Sequence, residues 1–192
     1  MTAQAPDYYR YHGREYSIIA LSKPIEPDFK SYGFQFTHLT TSCWRGHVCE
    51  YSIRREKLYL HNLYAHCKDD QYPEFNGVIP VPAGNNEYER MMKYGNLKLF
   101  IDYSGKIVLG KGFIDEYYIH MGFQRAWAYK EVIELVFKHG IVVKMKDHSE
   151  FVAKIREQYN SDPQFREEVF DDILKYVHDG FSLDPKVKAW WI

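Results

Sequence analysis

The residue types that most readily do chemistry are concentrated in one stretch. All three cysteines and three of the nine histidines fall within residues 40–67, as Cys43, His47, Cys49, His61, His66 and Cys67. A structural zinc site would need closely paired thiolates or imidazoles, typically two cysteines two to four residues apart. No such pair is present, and strand alternation turns Cys67 away from Cys43, His47 and Cys49. The economical reading is buried thiols packing as small hydrophobes, with the histidines as satisfied polar groups. A cysteine nucleophile would need an imidazole within hydrogen-bond reach. His47 and Cys49 share a strand face two residues apart, which sets them about 7 Å from one another. That is too far.

Other constellations are weaker. Asp115, Glu116 and His120 are acid–base groups in one loop, where solvation is their ordinary fate. Gly110-Lys111-Gly112 lacks the spacing of a phosphate-binding loop and the helix that should follow it. Glu167, Glu168, Asp171 and Asp172 form a charged helical face whose simplest role is contact with water. Trp44-Arg45-Gly46 is the more pointed string. Glycine inside a strand marks a bulge or a close backbone approach, and its neighbouring arginine can donate bidentately to a carboxylate or phosphate. An arginine paired with a buried acid is the structural alternative.

These residues need a scaffold, and the pattern around them predicts strands. Residues 40–67 read as a β-hairpin turning at residues 54–57. Pairing Ile53 with Leu58 sets Tyr51 opposite Leu60, Cys49 opposite Asn62 and His47 opposite Tyr64. The face carrying His47, Cys49, Tyr51, Ile53, Leu58, Leu60, Asn62 and Tyr64 is assigned to the core, although Arg55-Glu56 is poor chemistry for a two-residue turn. Before it come a disordered leader, a strand at residues 14–21, a proline-broken connection and a short strand at 34–38. After it come a loop with an edge strand at 78–81 and a helix at 86–94, opened by an Asn86/Glu89 capping box. Residues 96–102 and 106–111 predict a second hairpin. Residues 117–120 predict a short strand, and 131–138 with 141–145 a third hairpin turning at His139-Gly140. Beyond Asp147 the period changes. A helix starts there with Phe151, Val152, Ile155 and Tyr159 on one face. A second starts at Ser161-Asp162-Pro163 and runs to about His178. The closing Trp190 and Trp191 are expected to dock.

Composition limits the classes available. The chain has 192 residues, 45% of them hydrophobic and 27% charged, with a formal net charge of −1. That suffices for a core without disulfides and supplies no broad field for nucleic acid or an anionic membrane. No apolar run approaches the roughly 20 residues of a membrane span, and the first residues lack the plan of a secretion signal. An odd number of cysteines favours a reducing compartment, so the expected location is cytoplasmic. The 17 tyrosines, 12 phenylalanines and 4 tryptophans suit pleated, half-buried surfaces and, more sharply, a recognition face.

Four strings resemble a family of uncharacterised bacterial proteins. Its members show Trp-Arg-Gly-Tyr, Leu-Tyr-Leu, Tyr/Trp-x-Gly-x-Leu and Tyr-x-His-Met-Gly strings, set here against residues 44–47, 58–60, 94–97 and 118–122, although Tyr94-Gly95-Asn96-Leu97 lacks the residue between the aromatic and the glycine. His47 stands where tyrosine is usual, and the resemblance spans roughly residues 13–145. It implies a bacterial, cytoplasmic, single-domain protein, and no assigned activity.

The expected fold is mainly β: a β-sandwich or partly open antiparallel barrel over residues 1–146, with two C-terminal helices over 147–192 packed on it. The expected function is a non-catalytic binding or protein-interaction domain, with an accessory or immunity-type role as one form. The alternative is a small hydrolase or metal-dependent enzyme using the histidines of the first hairpin. No cofactor or metal is expected. The partner is expected to be a protein or small molecule, not nucleic acid or membrane, and a homo-oligomer is left open. The expected contact surface joins Trp44, Arg45 and His47 to Tyr117, Tyr118, His120, Phe123 and Trp127.

Overall fold

The computed structural model describes residues 2–84, 88–120, 122–165 and 182–184. Among the described residues ten strands form one sheet: β1 (Tyr8–Tyr11), β2 (Arg14–Leu21), β3 (His47–Arg54), β4 (Lys57–Ala65), β5 (Val81–Pro82), β6 (Met92–Tyr94), β7 (Leu99–Phe100), β8 (Gly105–Phe113), β9 (Tyr129–Lys138) and β10 (Ile141–Asp147). The order β10-β9-β8-β2-β1-β3-β4 returns to β10 through a single pair, Ile141 with Lys57. The sheet is therefore a barrel joined at one end and open beyond it. Strands β5, β6 and β7 extend from β4 outside that ring. Neighbours are antiparallel, except that β1 runs parallel to β3. No described helix is long and apolar enough to cross a membrane.

Period-two alternation fills the barrel. Tyr9, Ile18, Cys49, Tyr51, Leu58, Leu60, Leu63, Ile107, Leu109 and Leu135 form one buried cluster. The outer face of β8 and β9 buries Val108 and Val132 with Trp127 against α1 (Ser149–Ser161), through Val152 and Ile155. Asp147 Oδ1 accepts from Ser149 N–H at 2.8 Å and secures the entry to α1. Phe151, expected on the buried face, is exposed.

The first hairpin departs from its expected register halfway along. Ile53–Leu58 and Tyr51–Leu60 pair as expected, but Glu50 then pairs with Asn62, and Cys49 with Leu63. His61 is the extra residue of a β-bulge, and one inserted residue exchanges every facing beyond it. Leu63 and Ala65 therefore point into the barrel. Asn62 and Tyr64 turn outward and bond Glu50, at 2.5 and 3.2 Å. Burial explains the choice, since a leucine replaces an asparagine in an apolar interior.

Other expectations change for reasons of pairing. The supposed leader supplies β1, wedged between β2 and β3, with Tyr9 fully buried. Residues 34–38 form only a bridge between Phe36 and Cys67. The helix expected at 86–94 gives way to a turn and to β6, because Met92–Tyr94 pairs with the end of β4; Asn86, its expected cap, lies outside the described residues. Residues 96–102 and 106–111 do not pair with each other. Leu99 and Phe100 join β4, whereas β8 joins β2 and β9. Residues 115–117 make a 3-10 turn rather than a strand start. The third hairpin forms as expected, with positive φ at both His139 and Gly140. Most of the second helix, and Trp190 and Trp191, lie outside the described residues.

Candidate functional site

The string Trp44-Arg45-Gly46 enters β3 at one end of the barrel. Gly46 has φ +70°, and a Cβ there would collide with the carbonyl oxygen of Thr37. Only glycine fits, and the tight passage aims the Arg45 side chain at the N-terminal segment. That segment runs alongside residues 42–44 and 122. Gln4 N–H donates to Gly122 O at 2.7 Å, Ala5 N–H to Ser42 O at 2.8 Å, and Trp44 N–H to Gln4 Oε1 at 3.3 Å.

Asp7, delivered by this segment, is almost entirely buried. Arg45 clamps it with two bonds of 2.9 Å, and Cys49 N–H adds a third at 2.8 Å. Arg45 Nη1 also reaches Glu26 Oε1 at 3.0 Å, and Nη2 reaches Ala5 O at 3.3 Å. Its guanidinium carbon stands 6.0 Å from the centre of the Phe123 ring. Burial disfavours the arginine's charge, but the charge of Asp7 and its hydrogen bonds outweigh it, so Arg45 stays firmly cationic.

His47 occupies the next inward position. Its Nδ1 lies 3.1 Å from Arg45 O and its Nε2 3.1 Å from Glu26 Oε1, with the ring between Phe29 and Phe36. Glu26 therefore bridges Arg45 and His47. Its burial would raise the carboxyl's pKa, yet the His47 contact and the nearby Arg45 guanidinium leave it below the ordinary value.

Beside this network opens a cleft of about 400 Å³. Leu21, Ile25, Phe123 and Leu183 supply its apolar wall, and Asp7, Ser22, Lys23, Glu26, Arg45 and Asp184 its polar one. Leu183 O accepts from Leu21 N–H at 2.6 Å, which fixes that short C-terminal stretch against β2.

The eight expected contact residues divide. Arg45, His47 and Phe123 meet at this barrel end. Trp44 is exposed at 61%, its ring stacked over His38 at 5.8 Å. Tyr117 and Trp127 pack together at 5.2 Å beneath α1; the Tyr117 hydroxyl accepts from Asn160, and the Trp127 carbonyl from Arg156. Tyr118 and His120 face solvent, 5.0 Å apart. Two members of the network, Asp7 and Glu26, escaped the sequence reading. Asp7 sits in a stretch without periodicity, and Glu26 between two prolines, so only its place in a rigid Pro24–Pro27 segment could have marked it.

The chemistry sought in residues 43–67 is dispersed. Burial raises the thiol pKa of Cys43, of Cys49 far above its ordinary value and of Cys67 to about 11, so all three stay protonated. His61 lies on the outer face at the bulge, and His66 Nδ1 lies 3.2 Å from Thr37 O. Among the described residues, no three His, Cys, Asp or Glu side chains gather to hold a metal ion. No protein-family model, curated protein or solved structure matches the chain.

Proposed function

We propose that this protein is a non-catalytic binding domain whose ligand occupies the cleft beside Arg45, Glu26 and Phe123. One observation carries the reading. Four of the five guanidinium N–H groups of Arg45 are committed to Asp7, Glu26 and Ala5, so this wall is fixed before any ligand arrives. A preorganised wall with apolar sides and a few converging polar groups is the usual form of a small-molecule site, and about 400 Å³ falls in its usual size range. The polar groups favour a cationic head. The lining holds three carboxylates, Asp7, Glu26 and Asp184, against two cations, Lys23 and Arg45. The apolar side suits a flat or aliphatic body of modest size.

A protein partner is the second reading, favoured by Trp44. An exposed tryptophan held by a stacked histidine resembles the anchors that dominate protein interfaces. An accessory or immunity-type role would use this ring.

Benzamidine, a cation on a flat ring, is a suitable probe. It should raise the melting temperature of the wild type by mass action on the folded state. Glu26→Gln should lose most of that rise, while Trp44→Ala keeps it. An equal rise in Glu26→Gln and the wild type would contradict the cleft assignment.

A further inference from the structure

At the opposite end of β3 lies a second cleft, of different character. It has a volume of about 630 Å³ and opens between the β1–β2 turn at His12-Gly13 and the β3–β4 turn at Arg55-Glu56. Arg10, Arg54, Arg55, His12 and His61 contribute its basic side, and Glu56 is the one carboxylate in its lining. Tyr11, Ile53 and Val142 make an apolar wall. A smaller adjoining pocket of about 160 Å³ shares Ser52, Arg54 and His61 and adds Lys98.

We infer that this cleft binds a phosphorylated small molecule of about mononucleotide size, its phosphates among Arg10, Arg54, Arg55 and His61. Three features support the inference independently. First, two of the three arginines, Arg54 and Arg55, lack ion-pair partners. Among the described residues no carboxylate lies within ion-pair distance of Arg54 or Arg55, and Arg10 reaches Glu15 and Glu50 only at 3.7 Å. Clustered like charges repel one another, and an anion relieves that repulsion while using the fork geometry of each guanidinium. Second, the Ser52 hydroxyl is closed off from solvent and has no hydrogen-bond partner among the described residues. A buried hydroxyl left unbonded is costly, and Ser52 is among the residues that line both pockets. Third, the turn carries positive φ at both Arg55 and Glu56. An Asn-Gly pair would adopt that shape more easily, and here an arginine occupies it at the mouth of the cleft.

The field is visible at His61. Burial lowers its pKa first, then the positive charges of Arg54 and Arg10; Glu50 opposes them, and Lys93 adds a lesser lowering. Lys98 and Glu56 complete the charged groups around the two pockets. A bound phosphate would reverse the balance at His61 and draw a proton onto it. Affinity should therefore rise as pH falls from 8 to 6.

Isothermal titration of the full chain with adenosine 5′-diphosphate, inorganic pyrophosphate and sulfate tests this. The expected result is saturable binding of the first two, tighter for the nucleotide because of the apolar wall, with proton uptake measured as a dependence on buffer ionisation enthalpy. Arg54→Gln and Arg55→Ala should each weaken binding about tenfold. Both side chains are exposed, so melting temperatures should stay unchanged. Pyrophosphate bound as tightly as the nucleotide would retain the phosphate site and remove the mononucleotide assignment. Sulfate binding equal to pyrophosphate, binding untouched by both variants, no binding, or much tighter binding of a single-stranded oligonucleotide would each overturn the proposal.

Discussion

At the scale of single residues, Arg45 is where structure and candidate function meet. Asp7 receives three bonds and is shut away from water. Arg45→Ala should therefore lower unfolding stability by about 3–5 kcal/mol, the range for stranding one partner of a buried ion pair. Urea denaturation measures it, and a loss below about 1 kcal/mol would mean that Asp7 finds another partner. Glu26 gives a pH signature. Its folded-state pKa is depressed, so its contribution is present above its ordinary unfolded value near 4.5 and fades as pH falls through the folded value. Glu26→Gln should flatten the acid side of the stability profile below about pH 4.5. A profile parallel to the wild type over the whole range would show that the Glu26 charge plays no part.

At the scale of elements, β1 is the sharpest case. It has four residues, yet it supplies the parallel pairing to β3 and joins β2 to the rest of the ring. Removing residues 1–12 should abolish cooperative unfolding, read by near-ultraviolet circular dichroism; a truncated chain that melts cooperatively would refute the central place of β1. This element was illegible in the sequence because Tyr8, Tyr9, Arg10 and Tyr11 show no clean alternation, and its partners are remote in the chain. The strands with strong period-two signals or a glycine turn, β2, β3, β9 and β10, were legible. The β3–β4 pairing was legible only up to the bulge, since no local signal marks His61 as the inserted residue. The capping box at Asn86 and Glu89 misled because β4 recruits Met92–Tyr94, and tertiary pairing overrides a local cap. Of the site, Arg45, His47 and Phe123 could be singled out from their strings. Asp7 and Glu26 could not, because charged residues in irregular segments carry no periodic signal.

At the scale of the whole molecule, the barrel separates two unlike ends. One is closed by the Asp7–Arg45–Glu26–His47 network, with carboxylates facing an apolar cleft. The other gathers Arg10, Arg54 and Arg55 between two tight turns, the last two without an ion-pair partner among the described residues. Strand β3 connects them, and the core of buried tyrosines and aliphatic side chains between them holds both ends fixed. The central claim is that the first end is a binding cleft. The most direct measurement is an amide NMR titration of the full chain with benzamidine. Saturable shifts should concentrate at Leu21, Ile25, Glu26, Arg45, Phe123 and Leu183, and residues 52–56 should remain still. Shifts scattered over the surface without saturation, or confined to residues outside this cleft, would contradict the account.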